Sequence, residues 1–317
     1  MASCSLSSMK AEAENTTVPN WLELPRDITT NILQRLDTIE IVTIACHVCP
    51  LWWNICKDPL MWRTIRMTNL HHLQHKHLEL VKICCYAIER SCGHLEDIDI
   101  QFFGSNDVLE CIAINANNLR CMRLVYCRRI SDEGLSLAVR NLPLLEEVDI
   151  SFNMLNEDSL EALGRCCPRL KSLTFARMLC EHFGYGSENI GAFAFAIAKT
   201  MPRLLHLKIS GNVLSNDGVL AILDGCPLLE SLDLTRCLYV HLSDSLEKRG
   251  REQIKDFGVP ILPDYSSSDD DYYYCESLEK RCREQIKDFR LPIQDCYSSD
   301  SDWDICSENS NWSGYED

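Results

Sequence analysis

Six times between residues 95 and 237 the chain repeats one short pattern, an apolar residue followed at +3 and +5 by two more. The anchors are Leu95/Ile98/Ile100, Leu119/Met122/Leu124, Leu145/Val148/Ile150, Leu170/Leu173/Phe175, Leu204/Leu207/Ile209 and Leu229/Leu232/Leu234, and their starts lie 24, 26, 25, 34 and 25 residues apart. Such a period constrains the fold more than any local propensity, because each unit covers its apolar face only by stacking on its neighbours. Anchors at +3 and +5 share one face of a strand, and the residues between them face the other way. Three residues past each last anchor stand Phe103, Cys127, Asn153, Met178, Asn212 and Cys237. A short buried polar side chain at that slot can bond the backbone exposed where the chain leaves its strand. Asp132 to Asn141, Asp158 to Cys166 and Asp217 to Asp224 carry apolar residues at helical spacing, so each unit reads as strand, turn, helix.

This pattern resembles the leucine-rich repeats of F-box proteins, in particular the cysteine-containing kind. The resemblance rests on the Asn/Cys slots, on the C-P-x-L entries Cys167-Pro168-Arg169-Leu170 and Cys226-Pro227-Leu228-Leu229, and on the turns Ile130 to Leu135 and Leu214 to Val219. Phe103 and Met178 depart from the slot, which predicts irregular turns in the first and fourth repeats. A solenoid needs end caps. Val81, Cys84, Cys85 and Ile88 form one helical stripe upstream and are expected to supply the N-terminal cap. Ser245 to Phe257, through Leu246 and Ile254, is expected to form a capping helix at the other end.

Upstream of the repeats, Leu24-Pro25 opens a helix carrying Ile28, Ile32, Leu33 and Leu36, and Asp37 with Glu40 has the spacing of a capping box for a second helix. Pro50 suits the first position of a third, which carries Leu51, Trp52 and Ile55. Three short helices expose more apolar surface than they can cover among themselves, which implies a permanent partner. The order Leu24-Pro25, Ile32-Leu33, Val48-Cys49, Trp52, Asp58-Pro59, Trp62 resembles an F-box, and with the repeats it looks most like the short plant F-box/leucine-rich-repeat proteins over residues 20 to about 260. That resemblance implies that Leu24, Pro25, Ile28, Ile32, Leu33, Val48 and Trp52 bind a Skp-type adaptor, and through it a cullin. It also implies that the repeats hold a protein target for ubiquitination and that the chain itself is not an enzyme.

The expected architecture is therefore α/β. It has an N-terminal arm (1–19), a small helical F-box (20–66), a connector with a capping helix (67–94), a short right-handed repeat solenoid with its C-terminal cap (95–260), and a disordered acidic tail (261–317). Of the formal net charge of −16, residues 264 to 317 hold 15 acidic and 5 basic side chains, so that segment carries −10 and the rest −6. The tail repeats Ser245 to Phe257 as Ser277 to Phe289, with Cys282 in place of Gly250. Net acidity argues against nucleic acid as partner. No run approaches the ~20 apolar residues of a membrane span, and no secretory signal pattern opens the chain. The expectation is a protein of the nucleus and/or cytoplasm that binds no membrane, with reduced cysteines packed as small hydrophobes.

Catalytic motifs are absent from the sequence, and neither Cys46-x-x-Cys49 nor His71, His72, His75 and His77 completes a metal-ligand pattern. No cofactor is expected. The outward columns of the predicted sheet run Asp99, Arg123, Asp149, Thr174, Lys208, Asp233 and Asp97, Cys121, Glu147, Ser172, His206, Ser231. Target contact is expected at Arg123, Glu147, Asp149, His206 and Lys208. Asp99, Arg123 and Asp149 side by side would equally form a self-satisfied charge ladder. These columns hold no aromatic anchor, so Phe183 and Tyr185, in the excess length of the fourth repeat, complete the candidate target surface. Against the ligase reading stands a scaffold that uses its repeats without any ligase. A hormone receptor is disfavoured because six repeats make only an open arc.

Overall fold

In the computed structural model, residues 24–258 are described, apart from 71, 72, 74, 75, 177–190, 213, 236, 238, 239 and 241. Helices α1 (Arg26–Leu33), α2 (Thr38–Thr43) and α3 (Pro50–Cys56) form the N-terminal module. Asp37 and Glu40 do close a capping box on α2, with Asp37 Oδ1 accepting from Ile39 N at 3.1 Å and Glu40 Oε2 from Asp37 N at 3.1 Å. Pro50 sits in the first turn of α3, and the Cys49 thiol caps that helix by accepting from Trp52 N. The sequence places Ile28 and Leu33 on one apolar face. In the structure the inward face of α1 runs instead through Thr29 and Leu33, and Ile28 is left exposed. Thr29 tolerates burial because its hydroxyl bonds back to the Pro25 carbonyl at 3.2 Å.

Eight parallel strands follow in sequential order: β1 (Thr64–Met67), β2 (Asp97–Gln101), β3 (Cys121–Val125), β4 (Glu147–Asp149), β5 (Ser172–Thr174), β6 (His206–Lys208), β7 (Ser231–Asp233) and β8 (Asp256–Gly258). Between them run α4 (His77–Arg90), α5 (Asn106–Asn115), α6 (Asp132–Val139), α7 (Glu157–Cys166), α8 (Ala192–Thr200), α9 (Asn216–Gly225) and α10 (Asp244–Gln253). The ladder is in register throughout, so Ile65, Ile98, Met122, Val148, Leu173, Leu207, Leu232 and Phe257 form one buried row.

Two units exceed the six expected, and both end caps are corrected. Trp62/Ile65/Met67 is a repeat start in its own right, which makes α4 the helix of the first unit rather than a cap. At the far end the capping segment is not helical throughout: α10 ends at Gln253, Ile254 turns extended (φ −117°, ψ 128°), and Phe257 enters β8. Gly250 is required there, because a Cβ would come within 2.6 Å of the Phe257 ring. The N-terminal edge of the sheet is covered by α2, whose buried Thr38 hydroxyl accepts from Arg66 N at 3.0 Å. The hydrophobic core consequently runs unbroken from Leu33 to Phe257.

The slot residues act as staples between repeats. Asn153 Nδ2 donates to Leu124 O at 2.7 Å while its Oδ1 accepts from Cys127 N at 2.5 Å, and Asn212 Nδ2 donates to Phe175 O at 2.8 Å. Thiols do the same job, Cys127 toward Ile100 O (3.7 Å) and Cys237 toward Ile209 O (3.0 Å). The C-P-x-L cysteines form a second set, Cys167 to Leu142 O (3.6 Å) and Cys226 to Met201 O (3.5 Å). These cysteines are more than small hydrophobes: each donates to a carbonyl of the preceding unit. Among the described residues no helix is long and apolar enough to cross a membrane.

Candidate functional site

Two surfaces stand out, one at each level of this architecture. The first lies on α1 to α3. α1 packs on α3, and once their inward residues Leu33 and Ile55 are buried the module still presents Ile28 (46% exposed), Ile44 (62%), Val48 (55%) and Trp53 (39%). Pro25 is exposed, while Leu24, Ile32 and Trp52 are half-buried. Trp52 leans on the core. Leu33 is a correction: at 0% exposure it supports the surface from beneath and touches nothing outside the chain. Ile44 and Trp53 were not expected there. α2 ends at Thr43 and the backbone turns at Ile44 (φ −122°, ψ −63°), whose side chain is left exposed. Lys57 Nζ lies 4.9 Å from the Trp53 ring centroid, a cation beside the exposed indole.

The second surface is the sheet face that carries the outward columns, and the register places both columns as expected. Arg123 does not pair with Asp99 and Asp149 beside it. It reaches into the neighbouring column, with Nη1 2.7 Å from Asp97 Oδ1 and Nε 3.1 Å from Glu147 Oε1. Asp149 turns its Oδ1 to the Ser151 amide and hydroxyl. The buried Oδ1 of Asp99 has no hydrogen-bond partner among the described residues. Burial pushes both the Asp99 and Asp149 carboxyls above the ordinary range, against the pull of Arg123 on each. Further along, exposed His206 and Lys208 line an open hollow with Ser172, Thr174, Ser231 and Asp233, where Lys208 Nζ lies 3.4 Å from Asp233 Oδ2. Phe183 and Tyr185 lie outside the described residues, as do His71, His72, His75 and the second copy Ser277 to Phe289.

Aromatic side chains stand just beyond the strands, outside the two outward columns. Two residues past the last anchor, five units hold a residue in the left-handed region: Asn69 (φ 59°), Phe102 (φ 74°), Tyr126 (φ 57°), Phe152 (φ 60°) and Gly211 (φ 73°). Asn and Gly adopt that conformation readily. For an aromatic residue it costs about 1–3 kcal/mol. The conformation is locked because each amide is claimed by the next unit, Phe102 N by Val125 O (3.0 Å), Tyr126 N by Ser151 O (3.1 Å) and Phe152 N by Ala176 O (2.7 Å). The three rings stack, Phe102 on Tyr126 at 5.2 Å and 9°, and Tyr126 on Phe152 at 4.7 Å and 20°. The two stacked pairs return roughly 1–3 kcal/mol in all. The signal was legible: an aromatic at the same offset in three consecutive repeats.

Comparison with known proteins agrees with this division. The family description "F-box-like" matches residues 21–68, and "Leucine Rich repeat" matches residues 201–223. F-box/LRR-repeat protein 23 of Arabidopsis thaliana is 41% identical over 82% of this chain and 58% of its own length, so the chain spans rather more than half of that relative. F-box protein SKIP19 of the same plant is 43% identical over 79% of this chain and 80% of its own. F-box/LRR-repeat protein 22, also from Arabidopsis thaliana, is 38% identical over 84% and 85%. Among solved structures, the tropomodulin C-terminal domain of Caenorhabditis elegans is similar at a TM-score of 0.35 and 18% identity, covering 47% of this chain and 92% of that one.

Proposed function

Because this chain belongs to the F-box/leucine-rich-repeat family, we propose that it is the target-recognition subunit of a Skp-cullin-F-box ubiquitin ligase, acting in the nucleus and/or cytoplasm. The observation that carries this reading is the exposure of Ile28, Ile44, Val48 and Trp53 on a module whose inward face is already packed. Four exposed large apolar side chains on a three-helix unit call for a standing protein partner, and the Skp-type adaptor is the partner that F-box membership indicates. The outward columns of the sheet, at Arg123, Glu147, Asp149, His206 and Lys208, then receive the target. No bond is made or broken by this chain. Its contribution is proximity, holding a target lysine near a charged conjugating enzyme and raising the effective concentration of the two.

The test uses the full chain and a purified Skp-type adaptor. Wild type forms a stoichiometric complex, and the double variant Leu24→Ala, Pro25→Ala, which disrupts the entry to α1, loses it by a factor of about 30 or more, the loss typical of a hot spot at ~2 kcal/mol. A folded wild-type chain that binds no such adaptor overturns the ligase reading and leaves a repeat scaffold in its place.

A further inference from the structure

The cysteines that staple the repeats are chemically shut away. Burial pushes the thiols of Cys127, Cys167 and Cys237 up to about 12 and that of Cys226 up to about 11, and a buried, protonated thiol reacts slowly. Cys85 and Cys111 differ. They stand on α4 and α5, which pack directly on each other, and both are only half-buried. Cys111 Sγ lies 3.8 Å from the Cys85 carbonyl oxygen, and the two thiols hydrogen-bond to each other. Asn115 Nδ2 donates to the same Cys111 sulfur from 3.8 Å. The bond from Cys111 draws the Cys85 thiol below its ordinary range, against burial and the charges of Glu89 and Asp107. The same bond, with burial, keeps Cys111 protonated. One sulfur is poised as a nucleophile, and its neighbour stands ready to resolve the product. Among the described residues no group of three or more His, Cys, Asp or Glu side chains is placed to hold a metal ion, which leaves sulfur chemistry for this pair.

We propose that Cys85 and Cys111 form an oxidant-responsive pair, closed by a hydroperoxide such as hydrogen peroxide into a reversible disulfide between the first two repeat helices. The Cys85 thiolate attacks one peroxide oxygen, the O–O bond breaks, and the departing hydroxide takes a proton to leave as water. Cys85 is then a sulfenic acid. The Cys111 sulfur attacks the Cys85 sulfur, the S–O bond breaks, and the Cys111 proton leaves with that oxygen as a second water. Each sulfur has given up one electron, and the peroxide has accepted both. A dithiol reductant reopens the bond by exchange. In a reducing compartment the open thiols are the resting state and the closed form is transient. Closure replaces a long S–H···O contact by a covalent tie between residues 26 positions apart. Tyr86, next to Cys85, packs on Trp62, so the tie stiffens the repeats where they meet the helical module.

The test exposes the full, folded chain to hydrogen peroxide, blocks remaining thiols with an alkylating agent, and maps the peptides by mass spectrometry. The expected product joins a peptide of α4 to one of α5 through Cys85 and Cys111, lighter by about 2 Da for the two hydrogens lost, and dithiothreitol separates it again. In Cys111→Ser the reaction stops at the sulfenic acid, which dimedone traps on Cys85. In Cys85→Ser no bridge forms, and dimedone labels Cys111 at less than about a tenth of that level. The bridged wild type unfolds at a midpoint several degrees above the reduced chain, and neither serine variant shows this oxidant-dependent rise. The proposal is overturned if no α4–α5 bridge forms in the folded chain, if Cys85→Ser still bridges through Cys84, if Cys111 is labelled as strongly as Cys85, or if the bridge lowers the midpoint. The bridge is sought first in the wild type, so its absence decides the matter whether or not the serine variants fold.

Discussion

Trp62→Ala probes the joint between the helical module and the repeats. Trp62 is 1% exposed, its indole Nε1 donates to Cys56 O at the end of α3 at 3.0 Å, and its ring meets Tyr86 of α4 edge-on at 6.4 Å. It lies inside the F-box-like match yet opens the first repeat. Removing a buried Trp side chain costs about 3–5 kcal/mol, and the Cys56 carbonyl left without a donor adds about 1 more. Against a typical stability of roughly 5–15 kcal/mol, the loss is a large fraction. At about 2–4 °C per kcal/mol for a unit of this size, the thermal midpoint falls by roughly 10–20 °C. Because the core from Leu33 to Phe257 is continuous, the loss should be shared. Hydrogen exchange should show the amides of Ile98, Met122 and Val148 losing protection along with those of α1 to α3. Ile28→Ala, at an exposed position, serves as control and shifts stability by under ~0.5 kcal/mol. If β3 to β7 keep wild-type protection in Trp62→Ala while α1 to α3 open, the helical module has its own core and the reasoning fails.

Three further outcomes follow from features described above. Asn153→Ala strands the Cys127 amide and the Leu124 carbonyl in the core, so urea titration should show a loss of roughly 2–5 kcal/mol; a loss under ~1 kcal/mol would show that the slot residues are not staples. Asp99 has its folded-state pKa raised by burial, so its ionised form destabilises the fold at neutral pH. Asp99→Asn should therefore raise the thermal midpoint at pH 7, with the gain vanishing as pH falls below the ordinary carboxylate value of ~3.9. A lower midpoint at pH 7 would refute this. Finally, the described repeats run as far as α10 and β8, and removing residues 264 to 317 should leave the midpoint and adaptor binding unchanged, which scanning calorimetry and a pull-down would check.

The six central repeats were readable because leucine-type anchors recur at nearly constant spacing, and register in a parallel ladder follows from that spacing alone. The first and last units escaped because their anchors are Trp62, Ile65, Met67, Ile254 and Phe257, embedded in segments that already had another explanation, an F-box in one case and a helical duplication in the other. The faces of α1 were misjudged for a related reason. Thr29 counts as polar by composition, but its hydroxyl satisfies itself on the Pro25 carbonyl, so burial costs it little. Arg123 shows a different limit: the column fixes where its Cβ starts, while a long side chain chooses its partners diagonally, at Asp97 and Glu147. The stacked aromatics were visible as letters, but the left-handed backbone that brings Phe102, Tyr126 and Phe152 face to face belongs to the turn and not to the strand pattern.

β1 serves two masters, and this has a mechanical consequence. A strand that closes the helical module and also starts the sheet leaves no pivot between the place where an adaptor would sit and the place where a target would sit. Neighbouring strands lie ~4.8 Å apart, so the rings of β2 to β4 begin one strand from the joint and end three strands, roughly 14 Å, beyond it. Position along the sheet thus acts as a graduated ruler rigidly fixed at its zero mark. A unit gained or lost between β1 and any point on the sheet would move whatever is held at that point one graduation along, with a fixed turn from the sheet's twist, without altering one contact residue.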